Sequence, residues 1–157
     1  MSNSIAINSI NMRTKFMFVA ILAFVLNANA FAQSGGLQID TDLKSIDVEA
    51  SADFGKFKAE MGTTYNVSEK KITELHASFA MSPSDIYMTL ECGRLTGKPV
   101  DEVVKIYKAN RGKGWGVIAK EMGIKPGSKE FHALKANAKA RAEKGKHQSK
   151  GKGKKNK

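Results

Sequence analysis

The most reactive side chains in this sequence belong to one cysteine and three histidines. Cys92, His76, His132 and His147 lie far apart along the chain. Zinc sites use cysteine and histidine ligands at short, recurring spacings, and these four residues show no such spacing. A lone cysteine also cannot form a disulfide within its own chain. The sequence therefore predicts no metal ligand and favours Cys92 as a small buried hydrophobic residue, with a reactive thiol or an intermolecular crosslink as alternatives.

Acidic residues provide no clearer basis for catalysis. Asp101 and Glu102 are adjacent, but they fall in the first turn of a predicted helix, where negative charge favourably opposes the positive end of the helix dipole. No spacing in the chain supports a Ser-His-Asp or Cys-His arrangement. We therefore expect a protein that is not an enzyme, with no catalytic residue and no cofactor.

Glycines and cations alternate in residues 111–116 (RGKGWG), directly before a predicted helix. Backbone N–H groups at the start of a helix can bind phosphate, but this loop lacks a preceding strand and the Gly-Lys-Ser/Thr ending of a phosphate-binding loop. A flexible connector that lets Trp115 reach the core is the favoured interpretation. Arg111 and Lys113 remain candidates for a non-specific anion contact.

Residues 118–124 have the apolar-Ala and Gly spacing of a helix-turn-helix, in which alanine permits close helix contact and glycine lets the chain turn. Two features argue against sequence-specific DNA binding. Pro126-Gly127 displaces the apolar residues of the second helix, and a signal peptide would separate the protein from chromosomal DNA. We therefore keep a nucleic-acid binder as a minor alternative and favour a helical hairpin with the same packing geometry.

The positive charge of the chain is concentrated at its C-terminus. Residues 133–157 contain 10 Lys and Arg against one acidic residue, whereas residues 31–132 contain 14 basic and 14 acidic residues. A dense cationic segment attracts polyanions. For an exported chain these are anionic lipid headgroups, lipopolysaccharide phosphates, acidic cell-wall polymers, acidic proteins or extracellular nucleic acid.

Residues 145–157 (GKHQSKGKGKKNK) contain no apolar side chain and cannot contribute to a core. The sequence predicts a disordered basic tail there, after strong helix formers at 133–144 that extend the last helix. A solubilising end without a target is the alternative. The predicted polyanion contacts are Lys144, Lys146, Lys150, Lys152, Lys154, Lys155 and Lys157.

The first thirty residues have the pattern of a signal peptide. Residues 16–26 (FMFVAILAFVL) form an uncharged apolar run that suits a signal-peptide core but is short of the roughly 20 residues needed to span a bilayer. Arg13 and Lys15 supply the positive charge that precedes such a core. The sequence therefore predicts export, with no transmembrane segment left after cleavage.

The cleavage site and the start codon are less sharply marked. Small residues at 28–30 predict cleavage before Phe31, and those at 30–32 fit cleavage before Gln33. Because residues 1–11 add nothing to the signal pattern, we expect translation to begin at Met12. The mature protein is expected in the periplasm or outside the cell.

The remaining residues must supply the fold. Apolar residues recur with helical spacing from Ala52 onward, and no run shows the two-residue alternation of a half-buried strand. Residues 53–144 are therefore predicted to form an all-α domain, a compact bundle of about six short helices. Residues 31–52 are rich in Gly, Ser and acidic residues with little periodicity, and they are predicted to form a flexible N-terminal arm.

Capping residues mark the predicted helices. Residues 82–85 (SPSD) combine a capping serine, a proline suited to the first turn and an acidic residue at the third helical position. The helix that follows is apolar on nearly all sides as far as Leu95, so we expect it to be central and the most buried. Ser68 is a second predicted N-cap. Trp115 is expected to anchor the core, with ligand stacking as the alternative role.

Residues 95–135 resemble a segment that recurs in small exported bacterial proteins of unassigned function. Its most recognisable part is GKGWG-x-IAK-x-x-GIKPGS-x-x-F, at residues 112–131. The resemblance covers about a quarter of the chain and implies a helical, extracytoplasmic bacterial protein. It implies no activity, cofactor or catalytic residue.

Two functions of different classes remain open. In the first, the helical domain is a non-catalytic binding module, and its basic tail contacts an anionic envelope component or an acidic protein. In the second, the domain is a soluble periplasmic structural or stress-type helper or adaptor, and the tail is incidental. A tail that contributes to partner binding would distinguish the first from the second.

Overall fold

Residues 39–152 follow one another as helices joined by short turns. These are the residues whose backbone the computed structural model describes, and its description of side chains covers residues 39–147. No strand occurs among them, which confirms the predicted all-α fold. The predicted signal peptide and residues 31–38 lie outside the described residues. The helices are α1 (39–52), α2 (Phe54–Tyr65), α3 (Glu69–Ala77), α4 (Pro83–Thr96), α5 (Val100–Asn110), α6 (Trp115–Glu121) and α7 (Lys129–Lys152).

Helix α1 corrects the prediction of a flexible arm over residues 31–52. From residue 39 onward this segment is helical, and Ile39, Leu43, Ile46 and Ala50 are buried in the core. Their spacing of three and four residues is that of one narrow helical stripe. Polar residues beside the stripe hid it in the sequence, and one of them, Asp42, is itself buried. Residues 39–52 are therefore part of the domain.

Helix α2 continues through a glycine, Gly62, near its C-terminal end. It begins after Asp53, whose carboxylate accepts a hydrogen bond from the Lys56 N–H at 3.0 Å, and ends before Asn66, which is in the left-handed conformation. A side chain at Gly62 would bring its Cβ within 3.0 Å of the Val67 carbonyl oxygen. Because Gly62 has no side chain, the turn that follows α2 can pack closely against the helix at this position.

The predicted start of α4 is confirmed. Ser82 Oγ accepts a hydrogen bond from the Asp85 N–H at 3.1 Å, and the Asp85 carboxylate accepts one from the Ser82 N–H at 3.4 Å, which together form a capping box. Ten residues of α4 are buried, and α2, α3, α5 and α7 all pack on it. Helix α4 is therefore the central helix, as its apolar sequence predicts.

Serine side chains also cap α3 and α7. Ser68 Oγ accepts a hydrogen bond from the Lys71 N–H at 3.2 Å, which confirms the predicted cap. Ser128 Oγ accepts one from the Phe131 N–H at 3.1 Å, one residue before α7 begins. Each cap satisfies a backbone donor that the first turn of a helix leaves unpaired.

Helix α7 is longer than predicted. The sequence predicts a change from helix to disordered tail at Gly145, but α7 continues through this residue to Lys152. Gly145 is buried against α1, and a Cβ there would lie 2.7 Å from Glu49 Oε2. The composition of α7 around Gly145 does not favour a helix by itself. Packing against α1 at this residue stabilises the helical conformation there. Residues 153–157 of the predicted tail lie outside the described residues.

Candidate functional site

Asp85 joins three helices through its carboxylate. The Trp115 Nε1–H donates to Oδ1 at 3.0 Å, and the Tyr107 hydroxyl donates to Oδ2 at 2.7 Å. The two rings stack with centroids 5.6 Å apart, and Trp115 is only 8% exposed. Burial, reinforced by the hydrogen bond to Asp85, raises the pKa of Tyr107. The polar end of Trp115 is thus satisfied inside the protein, in agreement with its predicted role as a packing anchor.

The predicted anion contacts Arg111 and Lys113 both bond within the protein. Arg111 donates to the carbonyl oxygens of Ala80 at 2.5 Å and of Phe79 at 3.4 Å. Ala80 has a positive φ of 49°, so the guanidinium supports a strained turn between α3 and α4. Lys113 Nζ bonds to Asn110 Oδ1 at 3.1 Å. These bonds support the interpretation of residues 111–114 as a connector.

A buried carboxylate that the sequence did not single out lies in the middle of α4. Glu91 is 2% exposed and accepts hydrogen bonds from Tyr65 at 2.8 Å, from Asn137 at 2.7 Å and from Arg94 at 2.5 and 3.1 Å. Burial alone would raise its pKa, but these donors outweigh burial and hold the pKa of Glu91 below its ordinary value. The available signal was an acidic residue within the apolar middle part of α4.

The cysteine and one histidine have structural roles. Cys92 is fully buried, and burial raises the pKa of its thiol to about 12, which confirms the predicted hydrophobic role. His76 Nδ1 lies 2.9 Å from the Met81 carbonyl oxygen, and its ring packs 4.5 Å from the Phe54 ring. Within the described part of the chain, no group of three or more potential ligands comes together around a metal position.

Arg141 is the buried cation of α7. Its Nη1 donates to Glu49 Oε2, and its Nη2 lies 3.2 Å from Glu60 Oε2, which together link α7 to α1 and α2. Lys144 Nζ reaches Glu60 Oε1 at 2.6 Å. Arg141 is 7% exposed. Its Nη2 is ion-paired with Glu60 without hydrogen-bond geometry, and its Nε has no hydrogen-bond partner among the residues described. Lys144, a predicted polyanion contact, is therefore engaged in this ion-pair cluster of Glu49, Glu60, Arg141 and Lys144.

Three other lysines of α7 lie along a different edge of the helix. Lys139 and Lys146 are exposed, and Lys135 is half-buried with its ammonium 5.8 Å from the Phe131 ring centre. Their separations of four and seven residues are those of neighbours on one helix face. Two predicted contacts, Lys150 and Lys152, belong to the last turns of α7. The others, Lys154, Lys155 and Lys157, lie outside the described residues.

Two grooves border these lysines. The larger has a volume of about 420 Å³ and lies between α1, the start of α2 and α7; we call it the α1–α7 groove. The smaller has a volume of about 310 Å³ and is lined by Ile39, His132, Lys135, Ala136 and Lys139. The lining of the α1–α7 groove includes Lys44, Val48, Ala52, Lys56, Gly145 and Lys146.

The segment with helix-turn-helix spacing forms a tight turn. Gly123 has a φ of 100°, which favours glycine, and Ile124 is buried. Helix α6 packs on α5, whereas α7 packs on α4. Leu134 is buried in spite of the displacement that Pro126-Gly127 was expected to cause. The glycine therefore separates two helices that pack on different partners.

Comparison with protein-family models, with curated proteins and with solved structures finds no match. Among the described helices, none combines the length and the apolar character that crossing a membrane requires. Function is therefore inferred from the residues of the chain itself.

Proposed function

We propose that this chain is an exported, non-catalytic binding module whose basic C-terminal segment contacts polyanions of the cell envelope or the exterior. The signal-peptide pattern of residues 1–30 supports export to the periplasm or beyond. The resemblance of residues 95–135 to small exported bacterial proteins supports the same location. The partner is an anionic envelope component or an acidic protein.

The proposal rests on the division of the α7 cations into two sets. Arg141 and Lys144 are neutralised by acidic residues of α1 and α2, and they hold the bundle together. Lys139 and Lys146 are exposed on the same helix. Residues 150–157 then add five lysines and no acidic residue. Because residues 150–157 carry only positive charge, this end of the chain attracts polyanions.

The hydrogen bonds of the core carboxylates support the proposal that the protein is not a catalyst. Asp85 accepts hydrogen bonds from Trp115 and Tyr107, and Glu91 accepts them from three side chains. Both carboxylates are thus occupied in joining helices. A general acid or base must instead be within reach of a substrate proton.

Salt-dependent binding tests the proposal. The probe is a single-stranded oligonucleotide, used as a soluble polyphosphate chain. If about half of the ten basic residues at 133–157 reach phosphates, affinity should fall with salt at a log–log slope of about −3 to −4. Replacing the five lysines of residues 150–157 with glutamine should flatten this slope, whereas replacing them with arginine should preserve it, because only the first change removes charge.

Two outcomes would contradict the proposal. A slope that is unchanged in the glutamine variant would place binding on the folded domain instead of the C-terminal segment. Absence of binding by the intact protein at low salt would favour the alternative of a soluble periplasmic helper or adaptor with an incidental tail. A pull-down from envelope extracts with a chain shortened after residue 147 would then test that alternative, which expects the partners to be retained.

A further inference from the structure

The α1–α7 groove lies where the basic C-terminal segment begins. Lys146 lines the groove and is also the first exposed lysine after the ion-pair cluster. Lys44 of α1 and Lys56 of α2 line it as well, and both are exposed. A surface attracted to the C-terminal lysines would therefore also lie close to the groove.

The lining of the groove is apolar between these lysines. Val48 is 73% exposed, more than the other exposed large apolar side chain of the described region, Val117, at 41%. Ala52 and Gly145 continue the apolar lining on α1 and α7. The aliphatic stems of lysine side chains add apolar surface below their charged ends. The groove is thus amphipathic, with Val48 at its most exposed point.

The electrostatic balance of the groove is positive. Its two carboxylates serve the protein, since Glu49 is paired with Arg141 and Asp53 caps α2 through the Lys56 N–H. The lining itself carries three lysines against these two carboxylates. Positive charge therefore exceeds negative charge in the groove lining, which favours an anionic partner.

We infer that the α1–α7 groove docks on the headgroup layer of an anionic membrane, with Val48 inserted among the headgroups and the surrounding lysines on lipid phosphates. This assignment rests on the proposed polyanion binding and specifies the polyanion as a lipid surface. An exposed apolar side chain framed by lysines suits the membrane interface, where apolar insertion and attraction to anionic lipids act together. A nucleic acid backbone offers Val48 no comparable apolar layer.

Substitution at Val48 separates lipid docking from simple charge attraction. Binding of the full mature chain is measured to phosphatidylglycerol vesicles, to phosphatidylcholine vesicles and to the oligonucleotide. Val48→Ser should weaken binding to phosphatidylglycerol vesicles about tenfold, because it removes the inserted apolar group without changing charge. Val48→Leu should retain or strengthen that binding. Neither substitution should change the affinity for the oligonucleotide.

The matched control is Val117→Ser, which makes the same chemical change at the other exposed valine, on α6 and outside the groove lining. It should leave vesicle binding unchanged. Because both valines are exposed, circular dichroism should show the same helical content in all variants. Val48→Ser and Val117→Ser with equal vesicle affinity would overturn the membrane assignment while leaving polyanion binding intact. A wild-type chain that bound neither vesicles nor oligonucleotide would instead overturn the proposed function.

Discussion

Two polar clusters hold this bundle together, and they use their charges differently. Around α4, Asp85 and Glu91 accept hydrogen bonds from aromatic, amide and guanidinium donors, and Glu91 is almost fully buried. Around α7, the ion-pair cluster is built on Arg141, whose guanidinium faces the carboxylates of Glu49 and Glu60. The first cluster is built from hydrogen bonds to two carboxylates, whereas the second is built from ion pairs around one cation.

The two clusters should therefore contribute differently to the stability of the domain. A buried carboxylate with several donors is worth most to the folded state, because removing it leaves those donors unpaired. Loss of one ion pair in the α7 cluster leaves Arg141 a second carboxylate partner, since its guanidinium contacts both Glu49 and Glu60. The α4 cluster should therefore dominate the free energy of unfolding, and single carboxylates of the α7 cluster can be altered with smaller losses.

Removal of Trp115 should have the largest effect. Trp115→Ala loses a buried ring and the donor to Asp85, and we expect the free energy of unfolding to fall by about 3 to 5 kcal/mol. Urea denaturation followed by circular dichroism measures this. Trp115→Phe, which keeps an aromatic ring and loses the hydrogen bond, should cost less. A normal unfolding curve for Trp115→Ala would refute the anchor role and reopen ligand stacking.

Paired substitutions compare the two clusters directly. Glu91→Gln weakens hydrogen bonds from three side chains in a buried site and should cost about 2 to 3 kcal/mol. Glu49→Gln makes the same change in the ion-pair cluster, where Arg141 keeps Glu60, and should cost about 1 to 2 kcal/mol. Chemical denaturation of both variants gives the comparison. Equal losses would show that the α7 cluster is as important to stability as the α4 cluster.

The acid sensitivity of the fold should depend on Glu91. Its pKa in the folded protein lies below that in the unfolded chain, about 4.3. Its contribution is therefore fully present above the unfolded pKa and is lost as pH falls through the folded pKa. The stability difference between wild type and Glu91→Gln should shrink over this acidic range, as measured by thermal unfolding at several pH values. A difference that is constant with pH would contradict this role.

The smallest expected effect is a gain in stability. Ala80 has a φ of 49°, where glycine adopts the conformation without steric cost. Ala80→Gly should raise the free energy of unfolding by about 0.5 kcal/mol, because relief of strain exceeds the added flexibility of the unfolded chain. Ala59→Gly, inside α2, is the control and should destabilise the protein by about 1 kcal/mol. Destabilisation by Ala80→Gly would show that the turn carries no strain.

Local signals in the sequence predicted the starts of α3 and α4 because capping depends on residues only a few positions apart. Ser68 and Ser82 each bond to a backbone N–H three residues later. The apolar sequence of α4 likewise predicted its central place. These features are encoded within one or two helical turns, which is why no knowledge of the fold was needed.

The sequence did not predict features that depend on contacts between residues far apart in the chain. Glu91 meets Tyr65 and Asn137, which lie 26 and 46 residues away in the chain. Docking of α1 against α7 pairs Glu49 with Arg141 across 92 residues. It accompanies a helix at residues 39–52, where a flexible arm was predicted, and the continuation of α7 beyond its predicted end. The narrow apolar stripe of α1 is compatible with a helix, but it does not identify α7 as the partner. The α1–α7 groove, which this docking creates, could not be predicted for the same reason.

The burial of Cys92 gives the protein an internal reporter of its own opening. It is the only cysteine of the chain, its side chain is fully buried, and its thiol pKa is raised to about 12. Alkylating reagents attack the thiolate, so they can react only when the bundle opens and the thiol regains its ordinary pKa. The rate at which the native protein is labelled therefore measures how often α4 becomes accessible, without denaturant or an introduced probe.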